Sequence, residues 1–196
     1  MTAAAHMGGG MEAARVEAAV EPTDPIAALV QGGKHREALT ACATTHGAIL
    51  GRLCMALLGS QADADEATQE TLLRAHRAMA TYRAEGSIKA WLCGIARHVC
   101  AHMLETRRKQ RELLEVVPTN AEGRDVFALR QRARALRDAL DKLKPTEREA
   151  LVMRFVGDLS HREIAIACNL DEPTARKRLS RALARLRSVM PDEESI

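Results

Sequence analysis

Aromatic side chains are nearly missing from this chain: Tyr82, Trp91, Phe127 and Phe155 are all there are among 196 residues. Runs of β-branched residues are as scarce, and without either there is little to pack on a pleated surface, which argues against a sheet-built fold. CxxC pairs are missing too. Five cysteines (Cys42, Cys54, Cys93, Cys100, Cys168) are an odd set with no disulfide-framework spacing. Neither a signal peptide nor an apolar run long enough to span a bilayer stands out, so a reducing cytoplasm is the expected compartment. Charge of one sign is in no great excess either: a net charge of +3 excludes a general polyanion binder and shifts the interest to how charge is divided along the chain.

What is present is Ala, Leu, Arg and Glu, with 46% hydrophobic residues, ample for real cores. The pattern predicts an all-α fold of two small helical domains joined by a flexible linker, the second a helix-turn-helix. The most informative stretch runs from Thr146 to Arg187. Thr146 with Glu149, and Ser160 with Glu163, have capping-box spacing and predict two helix starts. Asn169-Leu170-Asp171 predicts a tight turn, since Asn tolerates the left-handed conformation. Asp171 is then the expected N-cap of a last helix with Pro173 in its first turn. Along that helix Ala175, Leu179, Ala182, Leu183, Leu186 and Met190 form one apolar stripe. Residues 172–187 also carry Arg176, Lys177, Arg178, Arg181, Arg185 and Arg187 against Glu172 alone, a local net of +5. A basic helix behind a capped turn suits phosphates and major-groove base edges; the alternative is a solvated face on an ordinary bundle helix.

Upstream, residues 1–24 are Ala- and Gly-rich and read as a mobile leader, with helices from about Pro25. Residues 36–58 place Leu39, Leu50, Leu53 and Leu57 at helical spacing, interrupted at Gly47 and ended at Gly59-Ser60, which reads as a packing helix pair or one bent helix. Residues 61–70 carry Asp63, Asp65, Glu66 and Glu70 with no base, at the start of a helix running to about Tyr82. Acids suit a first turn. With Gln69 they also form an acidic face through i,i+4 pairs, fit for a basic protein partner. After a loop at Arg83 to Ser87, a long helix from Ile88 to about Leu114 offers Trp91, Leu92, Ile95, Val99 and Leu104 to a core. Its later half turns basic, with Arg97, Arg107, Arg108, Lys109 and Arg111 against Glu105, a second phosphate-binding surface. On that helix Cys93 aligns with Cys100 while His98 pairs with His102, which favours buried thiols over a metal site. Residues 112–127 reverse sign, contain Pro118 and Gly123, and read as an acidic linker. Leu129, Ala133, Leu136, Leu140 and Leu143 follow as a packing stripe. Residues 25–111 and 128–190 are the two expected domains, with a tail at 191–196.

This order resembles the extracytoplasmic-function (ECF) group of bacterial RNA polymerase sigma factors. Leu58-Gly59-Ser60 with Ala62 to Ala75 is similar to the family's polymerase-docking region, and Trp91-Leu92-Cys93-Gly94-Ile95-Ala96-Arg97 to its "WLxxIAR" signature. Leu140 to Glu149, Arg154 to Ala165 and Thr174 to Leu186 are similar to its −35-binding domain. The resemblance implies a specificity subunit that directs promoter-specific initiation, without a catalytic residue, metal or cofactor. It implies docking on core polymerase, at the largest-subunit clamp and the flap, through Asp63, Asp65, Glu66, Gln69 and Glu70. It implies capture of an unpaired −10 base around Tyr82, Arg83, Lys89, Trp91, Arg97, His98, Arg107 and Arg108. The −35 element is left to Glu172, Thr174, Arg176, Lys177, Arg178 and Arg181, and an anti-sigma factor is a further implied partner. His98, His102, Ile88 and Pro173 depart from the family pattern. Two rival readings are a stand-alone helix-turn-helix regulator and a sigma mimic that sequesters an anti-sigma protein.

Overall fold

The computed structural model describes residues 24–114, 138–140 and 142–189, and among them the chain is built of helices joined by short turns and loops, with no strand. The leader, the tail and most of the linker lie outside them, as do Leu129, Ala133, Leu136 and Met190 of the predicted stripes.

Helix α1 (Pro25–Gln31) begins where expected, with Pro25 in its first turn and the Asp24 carboxylate accepting from the Ile26 amide at 2.9 Å. Helix α2 (His35–Leu58) runs through Gly47 as one helix, which decides between the helix pair and the single helix that the spacing left open. A single glycine costs a helix only about 1 kcal/mol, and the burial of Leu50, Leu53 and Cys54 outweighs it. α2 ends at Gly59, whose φ of 75° is left-handed. By length and composition α2 would also pass as a membrane-crossing helix, the only such helix among the described residues and one the sequence reading overlooked. Its apolar side chains belong instead to a core shared with α3 and α4.

Helix α3 (Gln61–Ala78) is acidic at its start and runs into a 3-10 turn, Met79–Thr81. Helix α4 (Ile88–Leu114) follows the loop and spans the range expected of it. α2, α3 and α4 pack on one another through small residues, Ala64, Ala67, Ala75, Ala90 and Ala96 among them.

In the C-terminal half, α5 (Pro145–Phe155), α6 (His161–Cys168) and α7 (Glu172–Val189) follow a helical turn at 138–140. The predicted capping box of Thr146 with Glu149 is corrected: α5 starts at Pro145, and it is Glu147 that accepts from the Lys144 amide, at 3.2 Å. Proline's fixed φ favours the first helical position and moves the start one residue upstream. The other box forms as expected, with the Glu163 amide donating to the Ser160 hydroxyl and the Ser160 amide to the Glu163 carboxylate. Asn169 takes the left-handed conformation at φ 53° and closes α6.

α7 packs on α5 and α6, and its stripe of Leu179 and Ala182 joins Leu143, Ala150 and Leu151 in a second core cluster. The first cluster crosses between the halves, because Val152, Met153, Leu159, Ile164, Ala165 and Ala175 share it with residues of α1 to α4. α6 lies against α4, and α5 touches α2. Arg148 fastens the latter contact, its guanidinium donating to the Ala56 carbonyl at 3.0 Å.

Candidate nucleic-acid interface

The turn between α6 and α7 decides how the basic helix is presented. The Asp171 carboxylate accepts from the Thr174 amide at 2.7 Å and from its hydroxyl at 2.9 Å, which fixes the first turn with Pro173 inside it. Those hydrogen bonds outweigh a smaller opposing effect of burial and hold the Asp171 carboxyl below its ordinary range. Glu172 pairs with Arg176 one turn on. Arg176, Lys177 and Arg181 are exposed, as is Thr174, whereas Arg178 is half-buried and lies close enough to Glu149 to influence it. Of the four cations expected at the −35 element, three are therefore fully presented and Arg178 is partly covered.

The second basic surface is engaged within the protein itself. Tyr82 and Trp91 stack at a tilt, 5.0 Å between ring centroids, and the Tyr82 hydroxyl donates to the Gly86 carbonyl at 2.7 Å, closing the loop on itself. Arg83 is exposed in that loop beside Glu85. Lys89 donates to the Asp158 carbonyl at 2.7 Å, and Arg97 pairs with Glu149 at 3.5 Å, both across to the C-terminal half. His98 is exposed, its Nε2 2.8 Å from an Arg97 nitrogen. Burial, then the nearby Arg97 and Arg74, push its pKa below the ordinary imidazole value. Arg108 is tied to Glu105 at 3.1 Å. Arg107 is paired with Asp63, so a residue expected at DNA and one expected at polymerase meet each other.

On α3, Asp65, Glu66 and Gln69 are exposed, with Asp65 accepting from Gln61 at 2.8 Å, while Glu70 is bound by Arg74 at 2.7 Å. Sequence reasoning missed Leu73, which is 51% exposed and continues the Asp65–Gln69 row at the next i+4 step. It also missed Phe155, 66% exposed at the end of α5. Spacing could have shown the first; the second carries no local signal. Cys93 and Cys100 are buried while His98 and His102 are exposed, so the four do not converge.

Residues 43–111 match the family model of Sigma-70 region 2, and residues 133–186 that of Sigma-70, region 4. The ECF RNA polymerase sigma factor SigC of Mycobacterium tuberculosis is 33% identical over 147 residues, covering 71% of this chain and 77% of that protein. Among solved structures, CnrH in complex with the cytosolic domain of CnrY has a TM-score of 0.64 at 23% identity, covering 84% of this chain and 94% of that one. The sigma factor RpoE of Bartonella quintana, in complex with the anti-sigma factor NepR, has a TM-score of 0.61 at 20% identity, covering 85% and 99%. These two share the fold. An acidic helix, a Trp-bearing basic helix and a capped helix-turn-helix, in that order and matched by both family models, place the chain in the ECF group of RNA polymerase sigma factors.

Proposed function

We infer that the chain directs promoter-specific initiation by holding core polymerase through α3 while α7 reads the −35 element and the Tyr82 to Lys89 loop takes a melted −10 base. The observation that carries this division of labour is the separation of two exposed surfaces of opposite charge: Asp65, Glu66 and Gln69 on α3, and Arg176, Lys177 and Arg181 on α7. The acidic face, extended by Leu73, suits a basic protein surface such as the clamp of the largest subunit, and Phe155 offers an apolar contact to the flap. The cationic face suits phosphates and base edges. Residues 25–111 and 128–190 are then the two working units. They act by binding, with no chemical step and no cofactor, in the cytoplasm where polymerase works. The two solved relatives are bound to CnrY and NepR; a protein of that kind is the expected inhibitor here.

Run-off transcription on fragmented genomic DNA tests the reading. Core polymerase with this chain should initiate at a discrete set of sites, and Asp65→Ala with Gln69→Ala should abolish that selectivity by preventing assembly. Equal function of the double variant without polymerase binding would favour a stand-alone regulator instead.

A further inference from the structure

We propose that a cavity at the seam between α4 and α5 is a binding site for a small aromatic carboxylate, a role separate from promoter reading. Its floor is buried and apolar, formed by Leu57 at the end of α2, Cys100 of α4 and Leu143 ahead of α5. Its rim is open, with Ala101 and Leu104 of α4 and Pro145 at the start of α5 exposed around it. The cavity measures about 160 Å³. An engineered apolar cavity of about 150 Å³ in another protein takes up benzene, so a single ring is the body that fits. Leu104 gains a reason from this. Its spacing offers it to a core, yet it is 44% exposed and stands at the mouth of a hollow that an apolar ligand would cover.

One side of the hollow is cationic. Arg97 and Arg148 both line it, against Glu149 as the single carboxylate, and Glu149 is a weak counter-ion because burial holds its carboxyl above the ordinary range. The Arg97 guanidinium reaches Glu149 with one terminal nitrogen at 3.5 Å and His98 with the other at 2.8 Å. Its Nε is buried and has no hydrogen-bond partner among the described residues. A buried guanidinium donor without an acceptor is unfavourable, and a carboxylate is the acceptor whose charge and shape suit it. A neutral ring would cover the apolar floor and leave that donor unmet, whereas an inorganic anion would meet the donor and leave the floor wet. A ring bearing a carboxylate does both. Because the walls come from both halves of the chain, such a ligand is held only where the halves meet, and its binding stabilises that arrangement by mass action. It would act as an effector.

Benzoate and its neutral analogue benzyl alcohol are the probes, titrated into the full chain without polymerase at constant ionic strength and followed through the leucine methyl resonances. Benzoate should bind with a dissociation constant on the order of 1 mM, reasonable for so few atoms. It should bind about tenfold tighter than benzyl alcohol, the margin a charged hydrogen bond supplies. Leu104→Trp and Ala101→Trp each place a ring in the mouth from the exposed rim and should weaken benzoate about tenfold or more by taking up its volume. Should one of them lose its helical circular dichroism, the other decides. Arg97→Lys keeps the charge and removes Nε, so it should bring benzoate down toward the affinity of benzyl alcohol while leaving benzyl alcohol unchanged. Benzyl alcohol binding as tightly as benzoate, no binding of either, or benzoate binding that both tryptophan variants leave intact overturns the proposal. None of these readings depends on transcription, so a chain that supports no selective run-off would defeat the functional assignment and leave this site standing.

Discussion

Arg97 of α4 and Glu149 of α5 form an ion pair 3.5 Å long whose two side chains are each only 16% exposed. Burial pushes the Glu149 carboxyl above its ordinary range, and the attraction of Arg97 does not fully reverse this. Glu163 on α6 is the opposite case. Burial opposes its ionisation too, but the hydrogen bonds from Ser87 and from the Ser160 amide and hydroxyl prevail and hold its pKa low.

The two carboxylates therefore give stability opposite slopes with pH. An acid whose folded pKa is raised favours the fold when protonated and loses that contribution as pH rises from its unfolded value through the raised one. An acid whose folded pKa is depressed contributes above its unfolded value and loses the contribution as pH falls through the depressed one. Urea unfolding across the carboxylate range should show Glu149→Gln gaining on wild type as pH rises, and Glu163→Gln losing ground over the same range. Parallel curves for the two variants would contradict the assignment.

Asn169 closes α6 in the left-handed conformation. Replacing it with Gly should leave the melting temperature within a few degrees, because glycine adopts that geometry freely. Asn169→Val should cost about 1–2 kcal/mol, since a β-branched side chain is strained there. Thermal melts followed by circular dichroism would measure both.

Burial raises the Cys42 thiol to about 11 and the Cys93 thiol to about 12, with the charges nearby adding smaller effects. The thiolate is the reactive form, so both should resist iodoacetamide until the chain unfolds. Cys168 is half-buried and should be alkylated first. Peptide mass spectrometry after a short exposure would reveal the order, and early modification of Cys93 would be inconsistent with its burial.

Lys177 and Arg181 are exposed on α7. If they contact phosphates, changing either to Ala should weaken promoter binding by the holoenzyme almost uniformly across sequences and lower the salt-dependence slope by about 1. An effect confined to one promoter sequence would mean base reading instead. Titrations of holoenzyme on several promoters at varied salt separate the two.

Most helix limits were legible because they are written in adjacent residues. Ser160 with Glu163, Asp171 before Pro173, and Gly59 after an apolar run each act within one turn. Where two local signals overlapped, the stronger was misjudged: Thr146 had the spacing of a cap, but Pro145 beside it took the first helical position. The candidate site was legible by residue type and much less by arrangement. Nothing near Gly94 or Gly86 reveals that α6 will lie against them, and nothing near Arg97 identifies Glu149 as its partner. Such pairings depend on how distant helices meet, and local spacing carries no record of that.

The core that crosses the two halves has a consequence for whatever opens the chain. Val152, Met153, Leu159 and Ile164 lie among the same buried side chains as α1 to α4, so parting the halves wets apolar surface as well as breaking a few polar contacts. Ionic strength screens the latter and leaves the former untouched, while sulfate strengthens it. Opening is thus a problem of solvation more than of charge, and it is met most directly by a partner that brings oily surface of its own.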